Sequence, residues 1–91
     1  MPRISIITPT YNSENTLQGT IEALLRQTFS DFEYIIIDAV SKDQTLDKIE
    51  SYIPAFGKKG VTVRIVSEPD KGVYDAMNKG ISLATGKLIG I

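Results

Sequence analysis

The chain has 91 residues, with 10 Lys or Arg against 11 Asp or Glu, a net charge of −1 and 42% hydrophobic residues. That is one domain with a modest core, too apolar to be disordered and too evenly charged for a surface built to hold nucleic acid or an anionic membrane. Without Cys or His there is no disulfide scaffold, thiolate zinc site, thiol nucleophile or imidazole base, so any chemistry runs on carboxylates, hydroxyls, amides, lysines and backbone.

The first apolar run, residues 4–7, is too short for a signal-peptide core or a membrane span. A reducing, cytoplasmic compartment is expected, with peripheral membrane association left to sequence outside this stretch. Residues 3–8 are β-branched and continuous and read as a buried strand. Ser13 is placed to cap a following helix, with Glu14 near its positive end. Leu17, Ile21, Leu24 and Leu25 share one face of that helix, which should end near Gln27. Residues 33–38, with Tyr34, Ile35, Ile36 and Ile37, read as a second buried strand.

Asp43 is a candidate cap for a second helix carrying Leu46, Ile49 and Ile53 inward, with Pro54 closing it. Gly57 and Gly60 bracket a basic turn at Lys58 and Lys59, and Val61, Val63, Ile65 and Val66 form a third strand. Gly72 precedes a third helix with Val73, Ala76, Met77, Gly80, Ile81 and Ala84, for which Gly86 is the stop signal. Gly80 within a helix implies close packing, since it costs about 1 kcal/mol against Ala. Residues 88–91 read as a fourth strand.

The order β-α-β-α-β-α-β implies a mostly parallel, Rossmann-like α/β sheet with helices on both faces. Ligands bind such sheets beyond the carboxyl ends of the strands. Those ends carry Thr8 to Asn12, Asp38 to Ser41 and Ser67 to Gly72, which should meet in one crevice. Neither G-x-G-x-x-G nor G-x-x-x-x-G-K-[ST] occurs, which argues against a dinucleotide dehydrogenase and a P-loop NTPase.

Ile4-Ser5-Ile6-Ile7-Thr8-Pro9-Thr10-Tyr11-Asn12, followed by Glu14, resembles the opening of inverting family 2 glycosyltransferases of the GT-A fold. Gln27-Thr28-Phe29-Ser30-Asp31-Phe32-Glu33 matches the family's connection into its second strand. Residues 35–45 resemble its I-V-D-D-G-S-x-D-x-T segment, and residues 68–80, with Gly72, Ala76, Asn78 and Gly80 in register, its third block. Ala84-Thr85-Gly86 before an apolar strand fits as well, so the resemblance spans the chain in order.

The resemblance implies a nucleotide-sugar donor, with a UDP-sugar foremost, and a carbohydrate or lipid-linked acceptor in polysaccharide or glycolipid assembly. Tyr11 would lie against the base, or simply cover the first helix; backbone of Thr8 and Pro9 would line the pocket beside Asn12. Asp38 matches the first acid of the family's D-D pair and would accept from the base imide or ribose, or else cap the neighbouring turn. The second acid is replaced by Ala39 and the next glycine by Val40, a departure that weakens base readout and disfavours a positive φ. Ser41 and Asp43 match the rest of the motif.

Glu14 matches a position near the donor, or is a first-turn helix acid. Asp70 and Lys71 end the third strand, Lys71 as a point charge for a diphosphate or as a solvated turn lysine. Asn78 organises the donor crevice or bonds a neighbouring loop. The family's D-x-D motif, which holds Mg²⁺ or Mn²⁺, and its general base lie further along than Ile91, so neither role falls on a residue here. Residues 1–91 are thus expected to be the N-terminal, nucleotide-binding part of a GT-A glycosyltransferase, inactive alone and prone to self-association through its open fourth strand. The rival reading is a non-catalytic α/β nucleotide-binding or interaction module.

Overall fold

Each β-branched run becomes a strand and each amphipathic run a helix: β1 (Ile4–Thr10), α1 (Leu17–Leu25), β2 (Phe32–Asp38), α2 (Thr45–Lys58), β3 (Thr62–Ser67), α3 (Val73–Leu83) and β4 (Leu88–Gly90). The structure, a computed structural model, describes residues 3–28, 30–69, 72–86 and 88–90. All the strands pair in parallel in the order β3-β2-β1-β4, with the fourth strand beside the first. β2 is buried throughout. Because successive strand residues face opposite sides, Phe32, Tyr34 and Ile36 join Leu17, Ile21, Ile49 and Phe56 in one core. Ile35 and Ile37 join Ile7 and Ala76 in a second. Helices α1 and α2 therefore cover one face and α3 the other.

β1 runs two residues further than its β-branched stretch suggests, through Pro9 and Thr10, which pair with Ile37 and Asp38. Parallel strands address alternate neighbours with successive residues. The Thr10 carbonyl accepts from Ala39 N–H on the β2 side, so the missing Pro9 N–H falls on the β4 side. There the described pairing covers only Ile4 to Ile6, and no ladder bond is lost.

α1 begins at Leu17, and Ser13 does not cap it with its side chain. The Ser13 carbonyl takes the Thr16 and Leu17 N–H groups instead, while its hydroxyl turns back to the Tyr11 carbonyl. Glu14 thus sits in a turn before the helix, and α1 ends at Leu25, short of Gln27.

Pro54 does not close α2, which continues to Lys58. Phe56, two residues on, is buried and packs on Tyr34 with ring centroids 5.5 Å apart. That anchor holds the last turn although Pro54 donates no hydrogen bond. The inward stripe is Thr45, Ile49 and Phe56, with Ile53 38% exposed. Gly57 and Lys58 belong to the helix. The stop is Gly60 at φ +78°, with Gly60 N–H on the Gly57 carbonyl and Val61 N–H on the Phe56 carbonyl, a Schellman arrangement. Val61 is consumed by that cap, so β3 starts one residue later than its apolar pattern suggests.

α3 ends at Leu83 as Ala84 turns extended, so Gly86 is not its stop. A Cβ on Gly86 would stand 2.7 Å from Ile4 C and Ser5 N; the glycine lets the turn into β4 lie on β1. A Cβ on Gly80 would stand 2.5 Å from Ile7 Cγ2, which is the close packing inferred for it. At this end of the sheet, Glu33 is buried and accepts from Ser5 Oγ (2.6 Å), Thr85 N (2.7 Å) and Thr85 Oγ1 (2.8 Å). That network fastens the approach to β4 to β1 and β2.

Candidate functional site

At the other end of the sheet, Thr10, Asp38 and Ser67 stand in register at the carboxyl ends of β1, β2 and β3. Asp38 is fully buried. Its Oδ1 accepts from Thr10 Oγ1 (2.7 Å) and Ser41 Oγ (2.5 Å), and its Oδ2 from Ser41 N (2.7 Å) and Ser67 Oγ (3.0 Å). An ionised carboxylate has about four lone-pair sites, and all are engaged. Burial pushes the Asp38 pKa up, but the bonds from Ser41, Thr10 and Ser67 outweigh it and hold the group below the ordinary aspartate value. Asp38 therefore pins three strand ends and the turn after β2, and presents no free acceptor to a ligand.

The loop after β1 is clamped onto the start of α2. Asn12, at φ +47°, which Asn tolerates, donates its N–H to Ser41 Oγ and accepts from Lys42 N at Oδ1. Ser13 N–H reaches Thr45 Oγ1, and Glu14 N–H reaches Asp43 Oδ2. Asp43 also accepts from Thr45 N and Oγ1 at the entry to α2. Burial raises its pKa, and the bonds from Thr45 and Glu14 more than reverse this, so it too is held low.

Above Asp38 the strand ends open into a cavity of about 640 Å³. Pro9, Thr10 and Tyr11 form one wall, and Ala39, Val40 and Lys42 another. Pro69, Gly72 and Ala76 complete it from the α3 side. Pro69 is held by its carbonyl, which accepts from Lys79 Nζ at 2.8 Å, while Lys79 also pairs with Glu68 and Asp75. Tyr11, one of the lining residues, is 59% exposed. Val40, 45% exposed, holds φ +55°. The β-branched residue occupies the left-handed conformation that Gly would occupy more easily.

The three strand-end segments do meet in one crevice, but the candidate residues divide. Pro9 and Tyr11 line the cavity. Asp38 lies beneath it. Asn12 and Glu14 serve the loop clamp through the bonds above, with the Glu14 carbonyl also accepting from Lys48 Nζ. Thr8 lies within β1 near the Tyr34 hydroxyl, which is buried without a hydrogen bond of good geometry and whose pKa burial pushes up. Asn78 is exposed on α3 and does not line the cavity. Asp70 and Lys71 lie outside the described residues.

Lys42 and Ala76 are lining residues that sequence reasoning missed. Lys42 sits inside the motif as a variable position, and Ala76 matches the family's third block but its side chain carries no polar atom that would mark it as a site residue. Among the described residues, no group of three or more His, Cys, Asp or Glu is arranged to hold a metal, and no helix is long and apolar enough to cross a membrane.

The family model described as glycosyl transferase family 2 matches residues 5–91. A PGL/p-HBAD biosynthesis glycosyltransferase of Mycobacterium bovis is 42% identical over 85 residues, which cover 93% of this chain and 32% of that protein. The chain thus spans about a third of that curated relative. Staphylococcus aureus TarS 1–349 in complex with UDP-GlcNAc superposes with a TM-score of 0.81 at 30% identity, covering 98% of this chain and 25% of that one. A mannosyltransferase of Pyrobaculum calidifontis, in complex with GDP-Man and Mn²⁺, shares the fold with a TM-score of 0.85 at 23% identity, over 97% of this chain and 26% of that one.

Proposed function

The chain belongs to glycosyl transferase family 2, and from that premise we propose that it forms the nucleotide-binding part of a glycosyltransferase that takes a nucleotide-sugar donor. The observation that carries this reading is the cavity at the carboxyl edge of the sheet, with the exposed aromatic Tyr11 in its lining. The base stacks on Tyr11, since an aromatic face suits any base. Pro9 and Thr10, at the end of β1, line the same space. The Asp38 network and the Asn12 clamp hold the loops so that this shape exists before the donor arrives. TarS, 30% identical over nearly all of this chain, is a UDP-GlcNAc complex, which supports a UDP-sugar as the donor.

The reaction we assign to the whole protein is a single displacement with inversion. An acceptor hydroxyl attacks the anomeric carbon, the nucleoside diphosphate leaves, and a base outside these residues takes the hydroxyl proton. A divalent cation, Mg²⁺ or Mn²⁺, would neutralise the leaving diphosphate. We assign its ligands to the family's D-x-D motif, which in the family follows the fourth strand. A cytoplasmic setting and a carbohydrate or lipid-linked acceptor belong to the same proposal.

The test is sugar release and transfer by the intact protein with Mg²⁺ or Mn²⁺ and a panel of UDP- and GDP-sugars, with the anomeric configuration read by NMR. Transfer with inversion is expected. Tight nucleotide binding without turnover by any donor would favour the non-catalytic module instead.

A further inference from the structure

The described lining of the cavity has a one-sided charge chemistry. Among the described residues that line it, Lys42 is the only charged one, and no carboxylate faces it. Asp38 is buried below with both oxygens engaged. Ala39, next to it, brings only a methyl group to the wall. Lys42 is exposed, and its backbone is fixed at the cavity edge by the bond from its N–H to Asn12 Oδ1 at 2.8 Å. An ammonium has three donors and no acceptor. The described wall residues can therefore give a hydrogen bond through a charged group but include no charged group to receive one.

Resting on the reading of this cavity as the nucleotide pocket, we propose that Lys42 determines base specificity, selecting donors whose base carries a ring carbonyl oxygen over those with an amino group there. Uracil O4 and guanine O6 accept a hydrogen bond from the ammonium. Cytosine N4 and adenine N6 are donors; facing Lys42 they gain nothing and lose water. Stacking on Tyr11 does not discriminate, because every base has a π-face. The choice between keto and amino bases then falls to Lys42.

The experiment is calorimetric titration of the intact protein with UDP, GDP, CDP and ADP, in the native form and as Lys42→Met and Lys42→Arg. An exposed, charge-assisted hydrogen bond is worth about tenfold in affinity. UDP and GDP should bind about that much more tightly than CDP and ADP. Lys42→Met should abolish the preference by weakening UDP and GDP alone, and Lys42→Arg, still a donor, should keep it. An equal loss across all four nucleotides in Lys42→Met would place Lys42 on the diphosphate and overturn the assignment, as would an unchanged preference. No binding by any of the four in the native protein would overturn the pocket reading itself. Lys42 is exposed, so its variants should fold, which circular dichroism verifies.

Discussion

Asp38 and Ala39 are adjacent in the chain but serve opposite sides of the strand end: the Asp38 carboxylate is buried and fully bonded, while Ala39 forms part of the cavity wall. In a strand end the direction of the side chain, not its proximity in sequence, decides which of two neighbours meets a ligand. Of this pair, the residue that lines the cavity is the one whose side chain has no polar atom.

Asp38 should therefore act on stability first. Asp38→Asn puts an NH₂ group against donors and leaves several of them unpaired, at a cost of about 3 kcal/mol. Urea unfolding of the variant should show that loss. Any drop in nucleotide affinity should be partly recovered when the fold is supported by an osmolyte. A variant of native stability that no longer binds nucleotide would return Asp38 to direct contact with the donor.

Ala39→Asp supplies a charged acceptor, which the described wall residues lack. It should raise affinity for UDP and GDP, whose bases carry an N–H at that edge, by several-fold, roughly the worth of one charge-assisted hydrogen bond. Titration against ribose 5-phosphate, which has no base, provides the control; an equal change for UDP and ribose 5-phosphate would mean that position 39 does not meet the base edge.

Both buried carboxylates are held below their ordinary pKa, Asp38 by Ser41, Thr10 and Ser67 and Glu33 by Ser5, Thr85 and Arg64, in each case against the upward push of burial. A depressed native pKa gives stability that is complete above the unfolded value and lost as pH falls through the native one. Urea midpoints should hold above about pH 5 and fall below about pH 4. Ser41→Ala should lower the neutral-pH midpoint and flatten the acid limb, because the Asp38 pKa moves back up. A midpoint that climbs on acidification would contradict this account.

Val40 at φ +55° stores strain of about 1–2 kcal/mol. Val40→Gly releases it at the cost of a more flexible unfolded chain, for a net gain of about 1 kcal/mol. Thermal unfolding measures this. A destabilised Val40→Gly protein would show that packing at the half-exposed side chain outweighs the backbone term.

Two glycines should respond in a fixed order. On helix propensity alone Gly80→Ala gains about 1 kcal/mol. The new Cβ meets Ile7 Cγ2 at 2.5 Å, and overpacking of about 1–3 kcal/mol cancels or exceeds that gain. Gly86→Ala meets the backbone of Ile4 and Ser5 at 2.7 Å, which cannot rotate away, so it should cost more. Denaturation of both variants would reverse this ranking only if the approach to β4 shifted off β1.

The alternation of β-branched runs with amphipathic ones determined four strands, three helices and a parallel sheet, because strand and helix periods are properties of the chain itself. The same local logic brought Thr10, Tyr11, Ala39, Pro69 and Gly72 to one end of the sheet. It failed where a distant contact outvoted a local signal: Phe56 on Tyr34 carries α2 through Pro54, and the Ser13 hydroxyl bonds Tyr11 rather than capping α1. Only the tertiary structure decided that Asp38 points inward to Thr10 and Ser67, residues 28 and 29 positions away. It likewise placed Lys42 at the cavity edge through Asn12. A carboxylate's role follows from whether its lone pairs are already occupied, and those partners come from other strands whose register no local pattern contains.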